Sequence, residues 1–229
     1  MANRGNSNQI IVGAAQLFVS TEGPLEYVSA TDPAEYAFAG FSASASIPAY
    51  EGGVKFADSL ESASATWRNV GYTMNGLEVQ FQPDFGEVQV DQLLDVAKLY
   101  KQGMQVNMVT AFAEATLENL VVAVATSDAN YDDADADLVS LNLSAGDLGE
   151  VPLERALIAV GPGSGDPNAT GADAVERVYV ANRALSIDSV TVSAKRDTPS
   201  MYEVSFRLLP AGNGSYGKIV DRVVGTVAP

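Results

Sequence analysis

Between residues 71 and 120 the apolar positions change from strict alternation to helical spacing, and the rest of the chain can be ordered around that change. In Leu77-Glu78-Val79-Gln80-Phe81-Gln82 and again in Glu87-Val88-Gln89-Val90-Asp91 every second residue is apolar. Successive strand side chains point to opposite faces, so the pattern predicts two strands joined by a turn at Pro83-Asp84-Phe85-Gly86. In that arrangement Val79, Phe81, Val88 and Val90 share one face, while Glu78, Gln80, Gln82, Glu87, Gln89 and Asp91 share the other. A further alternating strand is expected over 105–110. Leu117, Leu120, Val121 and Val124 then recur at the spacing of one buried helical stripe, which predicts a helix over about 114–125. Glu114 and Glu118 sit in its first turn, where negative charge suits the positive end of the helix dipole.

Outside this segment, residues 1–9 read as an arm and 10–20 as a first strand interrupted at Gly13-Ala14-Ala15, with a turn at Gly23-Pro24. Residues 27–66 are poor in charge and rich in Ala and Ser, too long for an ordinary connection, and read as a protruding loop that orders against a partner. Trp67, the only tryptophan, is expected to anchor the core, and Asn75-Gly76 to turn the chain into the next strand. Leu93, Val96, Ala97 and Tyr100, between Asp91 and Gly103, have helical spacing and predict a short helix. Short apolar runs follow at 138–143 and 156–160, with strands expected at 175–181, 186–194 and 202–209. The pattern as a whole predicts a mainly β fold, a β-sandwich or partial barrel with one flanking helix. The expected division is an N-terminal arm and strand at 1–26, the long loop at 27–66, a β-sandwich domain at 67–221 and a tail at 222–229.

Composition narrows the chemistry. Apolar residues make up 47% of the 229, enough for a core, but charged residues only 18%, below the roughly 25% usual for soluble proteins. A surface so poor in charge hints at coverage by neighbours. Acidic residues outnumber basic ones 29 to 13, a formal net charge of −16, and no basic cluster occurs, which argues against gripping nucleic acid or anionic lipid. The absence of Cys and His excludes disulfides, thiolate catalysis, Cys/His zinc sites and imidazole-based triads. With no apolar export segment at the start and no run of 18 apolar residues, no membrane partner is expected.

The remaining motifs carry little. Asp133, Asp135 and Asp137 have the spacing of calcium-loop ligands, but Leu138 and Ser144 stand where a turn glycine and a bidentate glutamate are required, so a solvated acidic run is the better reading. The glycine-rich stretch 161–171 lacks both the phosphate-loop and dinucleotide patterns. Ser164 is flanked by glycines, yet Pro162 and Asp166 break the nucleophile-elbow frame. Glu78 and Glu87 are the candidates for an acid/base pair across the hairpin, but the polar face runs on through Gln80, Gln82, Gln89 and Asp91 as an extended surface, which for an isolated domain reads as an ordinary solvated sheet face. No catalytic residue, metal or cofactor is expected.

Several segments in order resemble the major tail tube proteins of long-tailed bacteriophages: 69–76 (NVGYTMNG), 85–92 (FGEVQVDQ), 112–120 (FAEATLENL), 204–210 (VSFRLLP) and 216–221 (YGKIVD). The resemblance covers most of 67–221. It implies a β-sandwich with a flanking helix, assembled as homo-oligomeric, hexameric rings stacked into a tube. It further implies a virion protein assembled in the host cytoplasm, meeting tape-measure and other tail proteins, with DNA passing through the lumen unbound. On this reading Glu78, Gln80, Gln82, Glu87, Gln89 and Asp91 face the lumen, and Phe41, Ile47, Tyr50 and Phe56 in the long loop contact a neighbouring ring. The inner tube of a contractile injection system, a capsid-decoration or adhesin-like binding module, and a carboxylate enzyme using a divalent metal are the rivals.

Overall fold

The computed structural model describes residues 13–21, 23–27, 36–37, 56–62, 66–91, 95–135, 137–143, 152–164, 175–197 and 199–223. The fold is mainly β, built on one large antiparallel sheet that does not close into a barrel. Its strands are β1 (Gln16–Ser20), β4 (Trp67–Asn69), β5 (Thr73–Gln89), β6 (Val96–Phe112), β9 (Arg155–Pro162), β10 (Val175–Ser186), β11 (Tyr202–Leu208) and β12 (Gly217–Val223). Small two-stranded pairs are formed by β2 (Glu26–Tyr27) with β3 (Tyr36–Ala37) and by β7 (Tyr131–Asp135) with β8 (Leu138–Leu141). The helices are α1 (Phe56–Ser62) and α2 (Leu117–Val124).

The sheet runs β4-β1-β9-β10-β11-β6-β5, and β12 joins the same side of β10 as β11. β10 is long enough to serve both: residues Val175 to Ala181 pair with β12, and Ala184 to Ser186 with β11. The sheet therefore divides into two limbs at β10. One buried cluster takes Leu17, Leu157 and Ala159 from the first limb and Val106, Met108, Phe112, Val204 and Phe206 from the second, so the limbs close on a common core. β9 is buried on both faces. Leu157 and Ala159 enter this core, while Ala156, Ile158 and Val160 enter a second one with Phe18, Leu60 and Trp67. That double burial is why 156–160 reads as a continuous apolar run instead of an alternation.

The expected helix over 114–125 forms as α2, but its buried side is Asn119, Val121, Val122 and Ala123, with Leu117 and Val124 of the expected stripe exposed. Its start is capped by the Thr116 hydroxyl, which accepts from the Asn119 amide, and Ala125 ends it in the left-handed conformation. Four other local expectations are corrected. Residues 83–86 are not a turn: β5 runs through them, because it is an edge strand where Pro83 forfeits no ladder hydrogen bond, and Gly86 is covered by Tyr100 and Gln102. Residues 96–103 are not helical but belong to β6, since pairing with β5 overrides the weak helical spacing. Asn75-Gly76 adopts positive φ at both residues but makes a bulge inside β5, marked by the register shift between Met74 and Glu78. Nor is 186–194 a strand; β10 ends at Ser186. Trp67 is buried as expected.

Candidate functional site: the outer sheet face and the ribbon

β5 and β6 form one hairpin far longer than the body that carries it. β11 pairs with β6 only from Val106 to Phe112. Among the described residues, 96–105 of β6 pair with β5 alone. At about 3.4 Å per residue the two-stranded ribbon extends roughly 30 Å beyond the three-stranded part. Its root is fixed by α2 and the residues before it. Asn119, buried, donates from Nδ2 to the carbonyls of Val70 and Glu114, both at 2.9 Å, and its Oδ1 accepts from Arg68 Nη1 at 2.7 Å. Glu114 Oε1 accepts from the Tyr72 amide, and its carboxylate fills the space beside Gly71, whose φ of +83° suits glycine. Desolvation around Arg68 lowers its pKa, with Glu118 opposing that shift.

The continuous β5 changes how the predicted polar residues are distributed. Alternation through 83–86 keeps Glu78, Gln80 and Gln82 on the outer face, away from the core residues Val106 and Met108, and Gln80 Nε2 donates to Glu78 Oε1 there. It carries Glu87 and Gln89 to the opposite face, with Phe81 and Phe85; Asp91 lies past the strand end at the ribbon tip. The six residues therefore do not share one face, because the turn that would have brought the two halves into phase is absent. All six are exposed in the single chain.

The outer face gains residues that the sequence alone did not assign. Register places Arg207 beside Asn107 and Asn107 beside Gln80, and likewise Ser205, Val109 and Glu78 in the next row. Gln105 pairs with Gln82 and donates to Asn107 Oδ1. Near the body this face carries amides and the Ser205 hydroxyl around Val109, with Glu78, Asp84 and Glu203 set against Arg207, and toward the tip it carries Val88, Tyr100 and Lys98. The alternation of buried Tyr202, Val204, Phe206 and Leu208 already marked Glu203, Ser205 and Arg207 as outward; the strand beside them was the missing fact.

The other ribbon face exposes apolar side chains among Glu87, Gln89 and Lys101. Phe81 and Phe85 are each 54% exposed and Leu99 60%. Lys101 lies on this side too, its Nζ against Met104 Sδ. A two-stranded ribbon with such exposed apolar side chains and unpaired edges is marginal alone and prone to associate.

Of the predicted loop contacts, Phe41, Ile47 and Tyr50 lie outside the described residues. Phe56 is 2% exposed and packs in the second core beneath the Arg222 guanidinium, so it is committed to its own chain and cannot reach a neighbour. Asp132 and Asp135 turn carboxylate oxygens to the backbone N–H groups of Ala134 and Asp137. Among the described residues no group of three or more acidic side chains is placed to hold a metal ion, and no helix is long and apolar enough to cross a membrane. Compared with known protein families, the chain matches none, and no curated protein sequence matches it.

Proposed function

We propose that the chain is a non-enzymatic structural subunit of a phage-type tail tube, whose copies form rings that stack around a channel. The observation that carries this reading is the two-sided ribbon. A face that exposes Phe81, Phe85 and Leu99, with open edges, suits packing against a neighbouring subunit, and the amides of the outer face near the body, continuous with Arg207 and Ser205 on β11, suit a channel wall. Duplex DNA bears one negative charge per roughly 1.7 Å, and a basic wall would hold it by counterion release; amides with few cations and a subunit net charge of −16 let it slide. Closure of the ribbons around a ring also covers edges that would otherwise aggregate.

In this reading Glu78, Gln80 and Gln82 line the channel with Gln105, Asn107 and Arg207, while Glu87 and Gln89 face the neighbouring subunit. The family resemblance over 67–221 supports the virion setting, and DNA and tape-measure protein as channel contents. The test is electron microscopy of the concentrated protein, alone and with a preformed tail-tip nucleus. Stacked rings are the expected result; particles that stay monomeric under both conditions would reject the proposal.

A further inference from the structure

The C-terminal strand β12 lies at an edge of the sheet, held there by β10. β12 pairs with β10 from Val175↔Val223 to Ala181↔Gly217, and among the described residues its other edge is unpaired. Of its described side chains only that of Arg222 is buried, and Ile219 is 50% exposed. Both ends of the seam are pinned by buried polar groups. At the start, Asn182 donates its backbone N–H to the Tyr216 carbonyl and its Nδ2 to that of Ser215. At the far end the Glu176 carboxylate accepts from Arg222 and from the backbone N–H of Phe56, the first residue of α1.

Both pins are incomplete. Asn182 Oδ1 and Arg222 Nε are buried and have no hydrogen-bond partner among the described residues. Such groups destabilise the state that buries them, and opening the seam would hydrate both. Residues 209–216, which lead into β12, contain Pro210 and the turn closed by Gly214 N–H to Ala211 O, with Gly214 at φ +78°. The connector is itself held, by Tyr216 Oη donating to the Met104 carbonyl and by Ala211 in the second core, so release of β12 opens these contacts too.

We propose that β12 is an exchangeable strand: it is latched in its own sheet by Glu176, and on release it is replaced on the edge of β10 by the β12 of a second copy. The partner follows from the register. The β10 edge already pairs residue for residue with this sequence, so a second copy restores every contact, including the Glu176–Arg222 pair, and the exchange is governed by concentration. Glu176 also makes α1 a participant, since losing Arg222 leaves the carboxylate with only the Phe56 amide.

The chain has no cysteine, so engineered pairs report cleanly. Tyr179 and Ile219 are direct cross-strand partners, and antiparallel partners lie about 4.5–5.5 Å apart at Cα, within disulfide reach. A chain carrying both Tyr179→Cys and Ile219→Cys is expected to close an internal disulfide when dilute. Two chains carrying one substitution each, mixed at high concentration and then oxidised, are expected to give linked heterodimers in excess of either homodimer. Glu176→Gln should speed their appearance by about tenfold or more. Complete internal closure in the double variant, with no heterodimer from the mixture at any concentration, would overturn the proposal. Native-state hydrogen exchange on the unmodified chain is the second arm. Release predicts that the amides of β12 and Phe56 open together and more readily than those of β9; opening of β12 only with β9 would refute it. Neither arm needs tube formation, so failure here and failure of the tube reading are separable.

Discussion

Replacing Phe85 by serine should weaken assembly while leaving the fold intact. Phe85 is 54% exposed on the ribbon and takes no part in either buried core. An aromatic side chain covers about 150–250 Å² when fully buried, so roughly 100 Å² remains for a neighbour to cover. At about 25 cal/mol per Å² this is worth ~2.5 kcal/mol per subunit contact. The corresponding change in association constant is about 50- to 100-fold. The critical concentration for assembly, followed by light scattering or sedimentation, should rise by that factor in Phe85→Ser. Thermal unfolding of the dilute subunit should stay within about 0.5 kcal/mol of the parent, as for exposed substitutions elsewhere. An unchanged critical concentration would refute the assignment of this face to a subunit contact. A clear loss of subunit stability would show instead that Phe85 serves its own fold.

Three further outcomes follow from the same geometry. Asn119→Ala removes two hydrogen bonds to backbone carbonyls and one from a guanidinium, and should cost about 3–4 kcal/mol in urea unfolding with an unchanged slope. In Gly217→Ala the new Cβ would fall 1.9 Å from the Val180 carbonyl oxygen, a backbone clash, so β12 should lose its amide-exchange protection before the rest of the sheet. The hydrogen bond from Arg177 holds the Asp221 carboxyl below its ordinary value near 3.8. Because the native pKa is the lower one, this stabilisation is fully present above that ordinary value and is lost as pH falls through the native value. Thermal melts should therefore find Asp221→Asn modestly destabilised at about pH 6 and equal to the parent well below pH 3.8.

What could be read in the sequence was set by how much of each pattern was local. The existence of α2, the double burial of β9 and the alternation of 202–208 all reflect burial within one element and are present in the fold. The expected stripe of α2 is not, since Leu117 and Val124 are exposed and Asn119, Val121, Val122 and Ala123 are buried instead. Residues 96–103 were misread because Val96, Ala97 and Tyr100 fit a helix nearly as well as a strand, and only the distant partner 85–89 decides between them. Pro83 and Gly86 looked like a turn for the same reason. Their tolerance in β5 depends on its edge position and on Tyr100 lying over Gly86. The candidate face suffered most, since one continuous strand moves Glu87 and Gln89 to the other side of the sheet. Glu78, Gln80 and Gln82 were legible; Asn107 and Arg207 needed the cross-strand register that joins them to Gln80.

The most direct test of the account is an electron cryomicroscopy reconstruction of the assembled protein. The account predicts stacked rings with Gln80, Gln82, Asn107 and Arg207 facing a central channel and Phe81, Phe85 and Leu99 buried against the next subunit. A reconstruction with the amide face on the outside, or with the three apolar side chains still in solvent, would contradict it.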